Sequence, residues 1–536
     1  MKKGFTLIEL LAVIVILALI ALIATPLILG VIDSAKKGAA ESSTYGYVEA
    51  IEQSDLLNQL GSNSTIREDG IYDLNTIAVS NYKGKSPSAV CVEIESGSVQ
   101  SGQFLFDSYV VEYQSGVAKV NKDKTAIDCN TNALATFDGK KGVNRPQLAN
   151  GMTPIKWVDG VEMVTTADDP NWYDYSKQLW ANSKTEDGSY FVWIPRYAYK
   201  ITSGYHSSET GTIDVKFLKG DKDETVDGTS IETSGYQAGI KDTSMYYFTH
   251  PAFQTSATAL GFWVAKFEPT AVEGVTSISG RGCNLEADDV TTKTVKIIPN
   301  ATSWRCISIN NAYTVVDNMK NKAEYGWDSS KVDTHLMKNT EWGAVAYLTK
   351  SNFGANTNPI WKNAYNLYQT GCSGSTEKSN YESNCIEYQT ENGVKASTTW
   401  NITGVYDTSG GAWEFVASYV NNGNENLTTY GTSVVNAPSW KKDIYIVEET
   451  DLPENNYQAN KTIYGDAIYE TSTSGYDSNN AWNQTYGYMP ATKNPFFIRG
   501  GSVASGGINA IFSFHQYGQG GWPIQYSFRP VVAILK

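Results

Sequence analysis

The sequence predicts an α+β multidomain chain: a long N-terminal helix, a small antiparallel sheet, and a large mixed α+β domain rich in irregular loops. Three observations predict this fold class. Between residues 5 and 32 the only charged residue is Glu9, and helical periodicity continues to about residue 57. Residues 60–135 carry short strand patterns separated by turns. All 14 tryptophans lie after residue 150, so the composition changes sharply there.

The composition is that of an acidic globular protein. Of the 536 residues, 41% are hydrophobic and 18% are charged, and the net charge is -14. Two or three domains are expected at this length. Because binding to a phosphate backbone needs basic patches, this charge argues against a nucleic-acid partner.

The N-terminal segment is long enough to span a bilayer. A helix over residues 5–32 would measure about 40 Å, against a hydrocarbon core of about 30 Å. Lys2 and Lys3 favour a cytoplasmic N-terminus, which places the chain after residue 33 outside. The apolar run is too long for a secretory signal peptide. One interpretation is a plain transmembrane anchor in which Glu9 snorkels towards the interface.

A second interpretation comes from residues 2–11, Lys-Lys-Gly-Phe-Thr-Leu-Ile-Glu-Leu-Leu, which resemble the processing site of type IV prepilins and pseudopilins. The resemblance implies that prepilin peptidase cuts between Gly4 and Phe5 and methylates the new amine of Phe5. It also implies that Glu9 pairs with the N-terminal amine of a neighbouring subunit. This agrees with electrostatics, since a carboxylate in hydrocarbon needs a cation. The predicted leader is 1–4 and the predicted membrane and pilin helix is 5–58, loosened at Pro26.

A small pilin-like β head is predicted over 59–135. Its strand signals are GIYDLNTIAV, AVCVEIESG and YVVEYQSGVAKV, and residues 109–113 alternate as a half-buried strand does. Residues 136–150, polar with Gly and Pro, predict a linker before the domain at 151–536. In that domain, 308–326 and 334–354 have apolar spacing suited to helices, with Thr340, Trp342, Val345, Ala346 and Leu348 on one face of the second.

Six cysteines fall as neighbours along the chain. Fifteen pairings are possible, and we favour the local one, in which each bridge closes a short loop. The predicted disulfides are Cys91–Cys129, Cys283–Cys306 and Cys372–Cys385. An even number of cysteines in a membrane-targeted chain indicates the oxidising exterior of the cell.

Six ordered segments of the large domain resemble the formylglycine-generating enzyme family, a variant of the C-type lectin fold. They are residues 190–195, 261–268, 339–346, 404–415, 499–502 and 527–530. The resemblance implies a C-type lectin-like core built from the Trp-Glu elements and the Arg-Gly-Gly-Ser strand, and closed by the last Phe-Arg segment.

The enzyme activity of that family is not expected here. Its oxidase needs a copper-binding cysteine pair after the Arg-Gly-Gly-Ser strand, and residues 503–526 contain no cysteine. His206, His250, His335 and His515 are scattered, without an HExxH or GxSxG motif. The acidic stretches 220–228 and 286–289 lack EF-hand spacing, which favours solvated loops. We therefore predict no catalytic residue, no cofactor and no metal.

Residues 503–526 combine aromatic, Ser, Asn and Gln side chains on glycine-rich loops, as binding surfaces do. An alternative is a pair of core strands, with Phe512 and Phe514 facing inwards. The segment also resembles the variable repeat of diversity-generating retroelement proteins. By position, the resemblance implies that the exposed, variable ligand-binding residues are Val503, Ala504, Ser505, Ile508, Asn509, Ser513, His515, Gln516, Tyr517, Gln519, Trp522, Pro523, Ile524, Gln525 and Tyr526.

Together these patterns predict a type IV pilin-like surface adhesin, a single-pass membrane precursor that becomes extracellular in a surface filament. Its predicted partners are prepilin peptidase, other pilin subunits, the cytoplasmic membrane before assembly, and an extracellular protein or glycan. Two alternatives stay open at this stage. One is a membrane-tethered enzyme of the formylglycine-generating type with altered chemistry, and the other is a pseudopilin of a secretion or DNA-uptake system.

Overall fold

The computed structural model describes most of the chain, in two compact units. The units are residues 1–136 and 137–536. The described residues are 7–59, 70–73, 82–95, 98–114, 116–121, 127, 136–139, 141–167, 169–232, 242–255, 257–271, 292–374, 383–508, 510–518, 520–521 and 524–535. They confirm a multidomain chain with an N-terminal helix and mostly β-structure after it.

The first unit begins with helix α1, Leu7–Gln59, which agrees with the helix predicted over 5–58. It runs through Pro26 without interruption. Within the described residues, no helix combines the length and the apolar character needed to cross a membrane. The membrane span over 5–32 stays a prediction.

Five strands follow α1 and form one antiparallel sheet in chain order. They are β1 Gly70–Asp73, β2 Ala89–Glu95, β3 Ser98–Phe106, β4 Tyr109–Gln114 and β5 Val117–Asn121. The sheet packs on α1 through a core that contains Tyr47, Ile51 and Phe104. Sequence reasoning missed β3 because its first half, Ser-Val-Gln-Ser-Gly-Gln, lacks a strand pattern. In β4, Val110 and Val111 are both buried, so the predicted alternation does not hold there.

The strands of the second unit are numbered along the chain. They are β6 Phe137–Asp138, β7 Val143–Asn144, β8 Thr153–Val158, β9 Val161–Val164, β10 Asn182–Lys184, β11 Tyr190–Pro195, β12 Tyr197–Ser203, β13 Thr212–Phe217, β14 Phe248–Thr249, β15 Gly261–Ala265, β16 Thr270–Ala271, β17 Val295–Lys296, β18 Val332–Leu336, β19 Cys372–Ser373, β20 Ile386–Glu387, β21 Trp413–Val420, β22 Asp443–Tyr445, β23 Tyr476–Ala481, β24 Thr485–Tyr488, β25 Phe496–Arg499, β26 Phe514–Gly518, β27 Tyr526–Phe528 and β28 Pro530–Ile534.

Two larger sheets organise this unit. The first has the order β18-β28-β15-β11-β10-β8-β9, so the last strand of the chain lies between two earlier ones. The second has the order β22-β21-β25-β26-β24-β23, and β27 pairs with β21. Strands β13-β12-β14 form a smaller sheet, and β6-β7, β16-β17 and β19-β20 form two-stranded pairs. A single large core of aromatic and aliphatic side chains connects these sheets.

The linker was predicted over residues 136–150, and residues 137–150 belong to the second unit. Val143 is fully buried in its core. The Asn144 side chain donates from Nδ2 to Leu260 O at 3.0 Å, and Gly220 N donates to Asn144 Oδ1 at 2.8 Å. These contacts connect the segment to residues 76 and 116 positions later in the chain.

The second unit has five described α-helices, and the two that were predicted are shorter than predicted. They are α2 Ile309–Asp317, α3 Asn339–Lys350, α4 Asn426–Thr429, α5 Thr432–Val435 and α6 Pro453–Ala459. The helix predicted over 308–326 ends at Asp317 and continues as two short 3-10 turns. The helix predicted from residue 334 starts at Asn339, because residues 332–336 form β18 beside β28. Every residue of α3 is buried, so its apolar side chains do not mark a single buried face.

The disulfide predicted between Cys372 and Cys385 is confirmed, with 5.0 Å between the Cα atoms. Cys91 and Cys306 are also disulfide-bonded. Cys129 and Cys283, their predicted partners, lie outside the described residues.

Candidate functional site

A buried ion pair fixes the last segment of the chain to the second large sheet. Arg529 Nη2 lies 2.5 Å from Glu414 Oε1, and Arg529 Nε donates to Glu414 Oε2 at 2.8 Å. Arg529 Nη1 donates to Ala265 O at 2.8 Å, which connects the first large sheet as well. Such two-point pairing fixes direction as well as distance. Burial raises the pKa of Glu414, and the charge of Arg529 opposes that rise.

A second buried contact shapes the turn before β21. Glu268 Oε1 accepts from Ala412 N at 2.8 Å, and Glu268 N donates to Asp407 Oδ2 at 3.2 Å. Gly411 has a φ of 66°, and a Cβ there would lie 2.4 Å from Glu268 Oε1. Only glycine fits this close approach in the left-handed region. The turn ends directly before Trp413, the first residue of β21.

Framework tryptophans hold the 503–526 segment in place. Trp413 donates from its backbone N to Gln525 O at 2.8 Å and from Nε1 to Ser505 Oγ at 3.1 Å. Trp342 Nε1 donates to Ile511 O at 2.7 Å. The segment is therefore connected to β21 and to α3 at several points along its length.

Arg305 is a further support that sequence reasoning missed. Its guanidinium carbon lies 3.9 Å from the ring centroid of Tyr368, and its Nη1 donates to Ile524 O. The arginine follows Trp304 in a stretch without a recognisable motif, so its role depends on contacts distant in sequence.

The structure divides the predicted ligand-binding residues into three groups. Val503, Ser513, His515 and Tyr526 are buried, which differs from the predicted exposure. Ala504 is exposed, Ile524 is 49% exposed, and Ser505, Gln516 and Gln525 are half-buried. Asn509, Gln519, Trp522 and Pro523 lie outside the described residues, while Ile508 lies in a 3-10 turn, Val503–Ile508, and Tyr517 lies in β26.

The burial of His515 has a topological cause. β26 lies inside the sheet, between β25 and β24. Ser513 closes a turn before this strand by accepting from Ala510 N at 3.0 Å. Tyr526 packs edge-on against Phe415, with 5.2 Å between ring centroids. Phe512 and Phe514 are fully buried, as the core-strand interpretation predicted.

A row of aromatic rings continues from the segment across β24 to β23. We call Trp413, Tyr476, Tyr486, Tyr488 and His515 the aromatic face. His515 stacks on Tyr488 at 4.7 Å and meets Tyr486 at 5.3 Å and Trp413 at 5.6 Å. Tyr476 meets Tyr488 edge-on at 4.9 Å. These separations between centroids fall within the range of favourable aromatic pairs.

The exposure of the aromatic face increases towards β23. His515 is 5% exposed, Tyr486 and Tyr488 are half-buried, and Tyr476 is 51% exposed. Sequence reasoning missed the three tyrosines. Two of them could have been found from the pattern Tyr486-Gly487-Tyr488, because alternate residues of a strand share a face.

The aromatic face carries no charge of its own near neutral pH. Burial lowers the pKa of His515 to about 3, so its imidazole is neutral. Beside Tyr476 in β23, Asp477 Oδ1 accepts from Ser478 N at 2.5 Å and adds a polar group next to the exposed ring. Exposed rings beside polar groups bind partners by stacking and hydrogen bonding.

The other histidines are engaged in packing. His335 is fully buried, and its Nδ1 and Nε2 each lie 2.9 Å from a carboxylate oxygen, of Asp333 and Glu341 respectively. Desolvation alone would lower the pKa of His335, but these two carboxylates raise it to about 9. Burial lowers the pKa of His250 to about 3. His206 stacks on Tyr469 at 4.2 Å.

The acidic stretch 220–228 is a set of ion pairs. Asp223 lies 2.5 Å from Arg196, and Asp227 lies 2.9 Å from Lys216. The stretch 286–289 lies outside the described residues. A cavity of about 330 Å³ lies beside the first stretch, lined by Phe217, Phe353 and Lys216 among others.

Comparison with known proteins places a motif at the N-terminus. Residues 1–25 match the prokaryotic N-terminal methylation motif. This supports a type IV pilin-like precursor, processed by prepilin peptidase and assembled with other pilin subunits. Gly4 and Phe5 lie outside the described residues, and Glu9 lies in the first turns of α1.

The remaining comparisons are less specific. No curated protein matches the chain. Among solved structures, the chain is similar to the I1 and M1 variants of Major Tropism Determinant, at 12% and 11% identity. Each comparison has a TM-score of 0.23 and covers 81% of both chains. A likeness of this size establishes neither a shared fold nor a shared ligand.

Proposed function

We propose that this protein is a type IV pilin-like surface adhesin. Its N-terminal helix joins it to other subunits, and its second unit is a C-type lectin-like domain that binds an extracellular protein or glycan. The observation that carries the binding role is the aromatic face, where Tyr476 is 51% exposed beside the 503–526 segment. The N-terminal methylation motif supports the assembly role.

The contacts between the framework and the 503–526 segment suit recognition of a ligand rather than catalysis. The backbone N of Trp413 and the guanidinium of Arg305 donate to backbone oxygens of the 503–526 segment, so these two contacts do not depend on the side chains of the segment. Exposed side chains such as Ala504 and Ile524 can therefore change while the framework stays the same. Copper-dependent formylglycine chemistry is not proposed, because residues 503–526 supply no thiol ligand.

The proposal makes the aromatic face the point of contact with the ligand. The full chain, displayed on cells or purified in detergent, is tested against arrays of glycans and of cell-surface proteins. Tyr476→Ala and Tyr488→Ala each remove an aromatic ring, and truncation of such an anchor typically costs about 2 kcal/mol, or about 30-fold in Kd. Met245→Ala is the matched control, because Met245 is a 59% exposed apolar residue outside the aromatic face.

The expected result is that both tyrosine variants lose binding to the glycan or protein that the wild-type chain binds on the array, while the Met245 variant keeps that binding. Equal binding by all three variants would exclude the aromatic face as the ligand site. Failure of the wild-type chain to bind any probe would contradict the adhesin proposal itself.

A further inference from the structure

The cavity of about 330 Å³ lies beside β13, the end strand of the three-stranded sheet. Its walls include four residues of β13, residues 141–142 between β6 and β7, residues 226–227 after β13, and residues 352–353 after α3. None of its lining residues belongs to the aromatic face or to the 503–526 segment. Sites for small ligands measure about 300–1,000 Å³, so this volume suits a small molecule rather than a segment of another chain.

The backbone of β13 directs polar groups towards the cavity. Phe217 is opposite Tyr197 of β12. The C=O group of Tyr197 points to the other side of β12, where it accepts from His250 N at 3.0 Å. Tyr197 and Phe217 are therefore a non-hydrogen-bonded pair, and such pairs recur at every second residue of an antiparallel ladder. The N–H and C=O groups of Val215 and Phe217 thus point away from β12, and both residues line the cavity.

These four backbone groups are buried and unpaired. Val215 is 2% exposed and Phe217 is 6% exposed. Within the part of the chain that the structure describes, neither residue has a hydrogen-bond partner for its outward N–H or C=O group. Buried backbone groups are nearly always hydrogen-bonded to protein, water or ligand. A hydroxyl group both donates and accepts, so a ligand with several hydroxyls can satisfy this mixed set of donors and acceptors.

The charged side chains that line the cavity balance one another. Lys216 Nζ lies 2.9 Å from Asp227 Oδ2 and 3.6 Å from Asp214 Oδ2. Lys141 Nζ donates to Tyr173 O at 2.7 Å and lies 3.9 Å from the centroid of the Tyr173 ring. Two cations and two anions leave the lining without net charge. An ionic ligand would compete with these contacts, whereas a neutral ligand can form hydrogen bonds with the same groups while they stay in place.

Apolar side chains provide a second kind of surface in the same cavity. The rings of Phe217 and Phe353 lie 4.6 Å apart between centroids, and the Phe353 side chain is half-buried. Val226 also lines the cavity. The negative face of an aromatic ring attracts C–H groups. The cavity therefore combines an apolar wall with neutral hydrogen-bonding groups.

We propose that this cavity binds one neutral pyranose, either as a free monosaccharide or as the terminal unit of a glycan. A pyranose has hydroxyl groups around its ring and a face of C–H groups, which are the two features that the cavity matches. The hydroxyls bond to the outward backbone groups of Val215 and Phe217, and the C–H face packs on Phe353. This site is separate from the aromatic face and does not depend on the proposed function.

The test is a ligand-detected NMR titration of the full chain, purified in a detergent without a sugar head group. The probes are glucose, galactose and mannose, each with its methyl glycoside. Glucuronate, glucosamine and phenylalanine are the anionic, cationic and zwitterionic controls. We expect at least one neutral hexose to bind about ten-fold more tightly than all three controls. Binding of its methyl glycoside as well identifies a terminal glycan unit, and binding of the free sugar alone identifies a monosaccharide.

Variants assign the binding to the cavity. Val226→Trp fills the cavity from a position that is 45% exposed, and we expect it to weaken hexose binding about ten-fold or more. Val158→Trp is the matched control, because Val158 is 44% exposed and lies outside the cavity. Phe353→Leu keeps an apolar side chain but removes the ring, and we expect a loss of about five-fold. Tyr476→Ala is expected to leave hexose binding unchanged.

Four results would each overturn the proposal. They are no binding of any neutral hexose by the wild-type chain, tighter binding of a charged control, equal hexose binding by Val226→Trp and Val158→Trp, and loss of hexose binding in Tyr476→Ala. The last result would place the sugar at the aromatic face instead. Circular dichroism spectra that match the wild type establish that each variant is folded.

Discussion

The buried pair of Arg529 and Glu414 gives a prediction whose magnitude follows from the structure. Arg529→Met keeps the length of the side chain but removes the partner of a carboxylate that is 0% exposed. Breaking a buried ion pair on one side costs about 3–5 kcal/mol, because the remaining buried carboxyl must either stay charged without a partner or take up a proton. We expect the free energy of unfolding of the second unit to fall by that amount at pH 7.

The assay is urea denaturation followed by tryptophan fluorescence. All 14 tryptophans lie in the second unit, so the signal reports that unit alone. Lys219→Met is the matched control. Lys219 pairs with Glu224, and their side chains are 40% and 62% exposed respectively. Exposed pairs contribute about 1 kcal/mol or less to stability. A denaturation midpoint for Arg529→Met equal to that of the control would refute the reasoning.

The stability of Arg529→Met relative to wild type is also expected to depend on pH. Without Arg529, burial raises the pKa of Glu414 further above 4.5, its unfolded value. The folded state then retains a proton that the unfolded state releases, so stability falls as the pH rises through that window. The deficit of Arg529→Met relative to wild type is expected to be smaller at pH 5 than at pH 8. Adding Glu414→Gln is expected to remove this difference.

Three further predictions concern other parts of the chain. His335 has a folded pKa of about 9 against 6.5 in the unfolded chain, so its contribution to stability is complete below pH 6.5 and is lost as the pH rises through 9. The free energy of unfolding, measured from pH 6 to 10, should fall over this window, and His335→Gln should lack that fall. Replacing Cys372 and Cys385 by serine opens a 13-residue loop and should cost about 3 kcal/mol, measured by the same fluorescence assay; an unchanged midpoint would contradict it. Glu9→Ala should leave the chain in the membrane fraction but out of sheared surface filaments, and normal recovery in filaments would disprove the pairing role of Glu9.

Local patterns predicted the first unit better than the second. Helix α1 follows from one long apolar and helix-forming run, and its end at Gln59 lies within one residue of the predicted end. In the second unit, the secondary-structure prediction failed where tertiary contacts determine whether a segment is a strand or a helix. Thr334 is in a strand because β28 pairs with β18, a contact between segments almost two hundred residues apart.

The candidate site was only partly predictable for the same reason. The importance of 503–526 follows from its composition, but the burial of His515 follows from the position of β26 inside the sheet. Tyr476 and Trp413 join one face only because β24 contacts β26 and β23 pairs with β24. A single sequence without its strand order contains no signal for that arrangement.

The most direct test of the central claim is mass spectrometry of the N-terminal peptide from sheared surface filaments. The proposed function predicts that the filament fraction contains this chain beginning at an N-methylated Phe5, together with its C-terminal peptides up to residue 536. A chain that keeps residues 1–4, or that occurs only in the membrane and not in filaments, would contradict it.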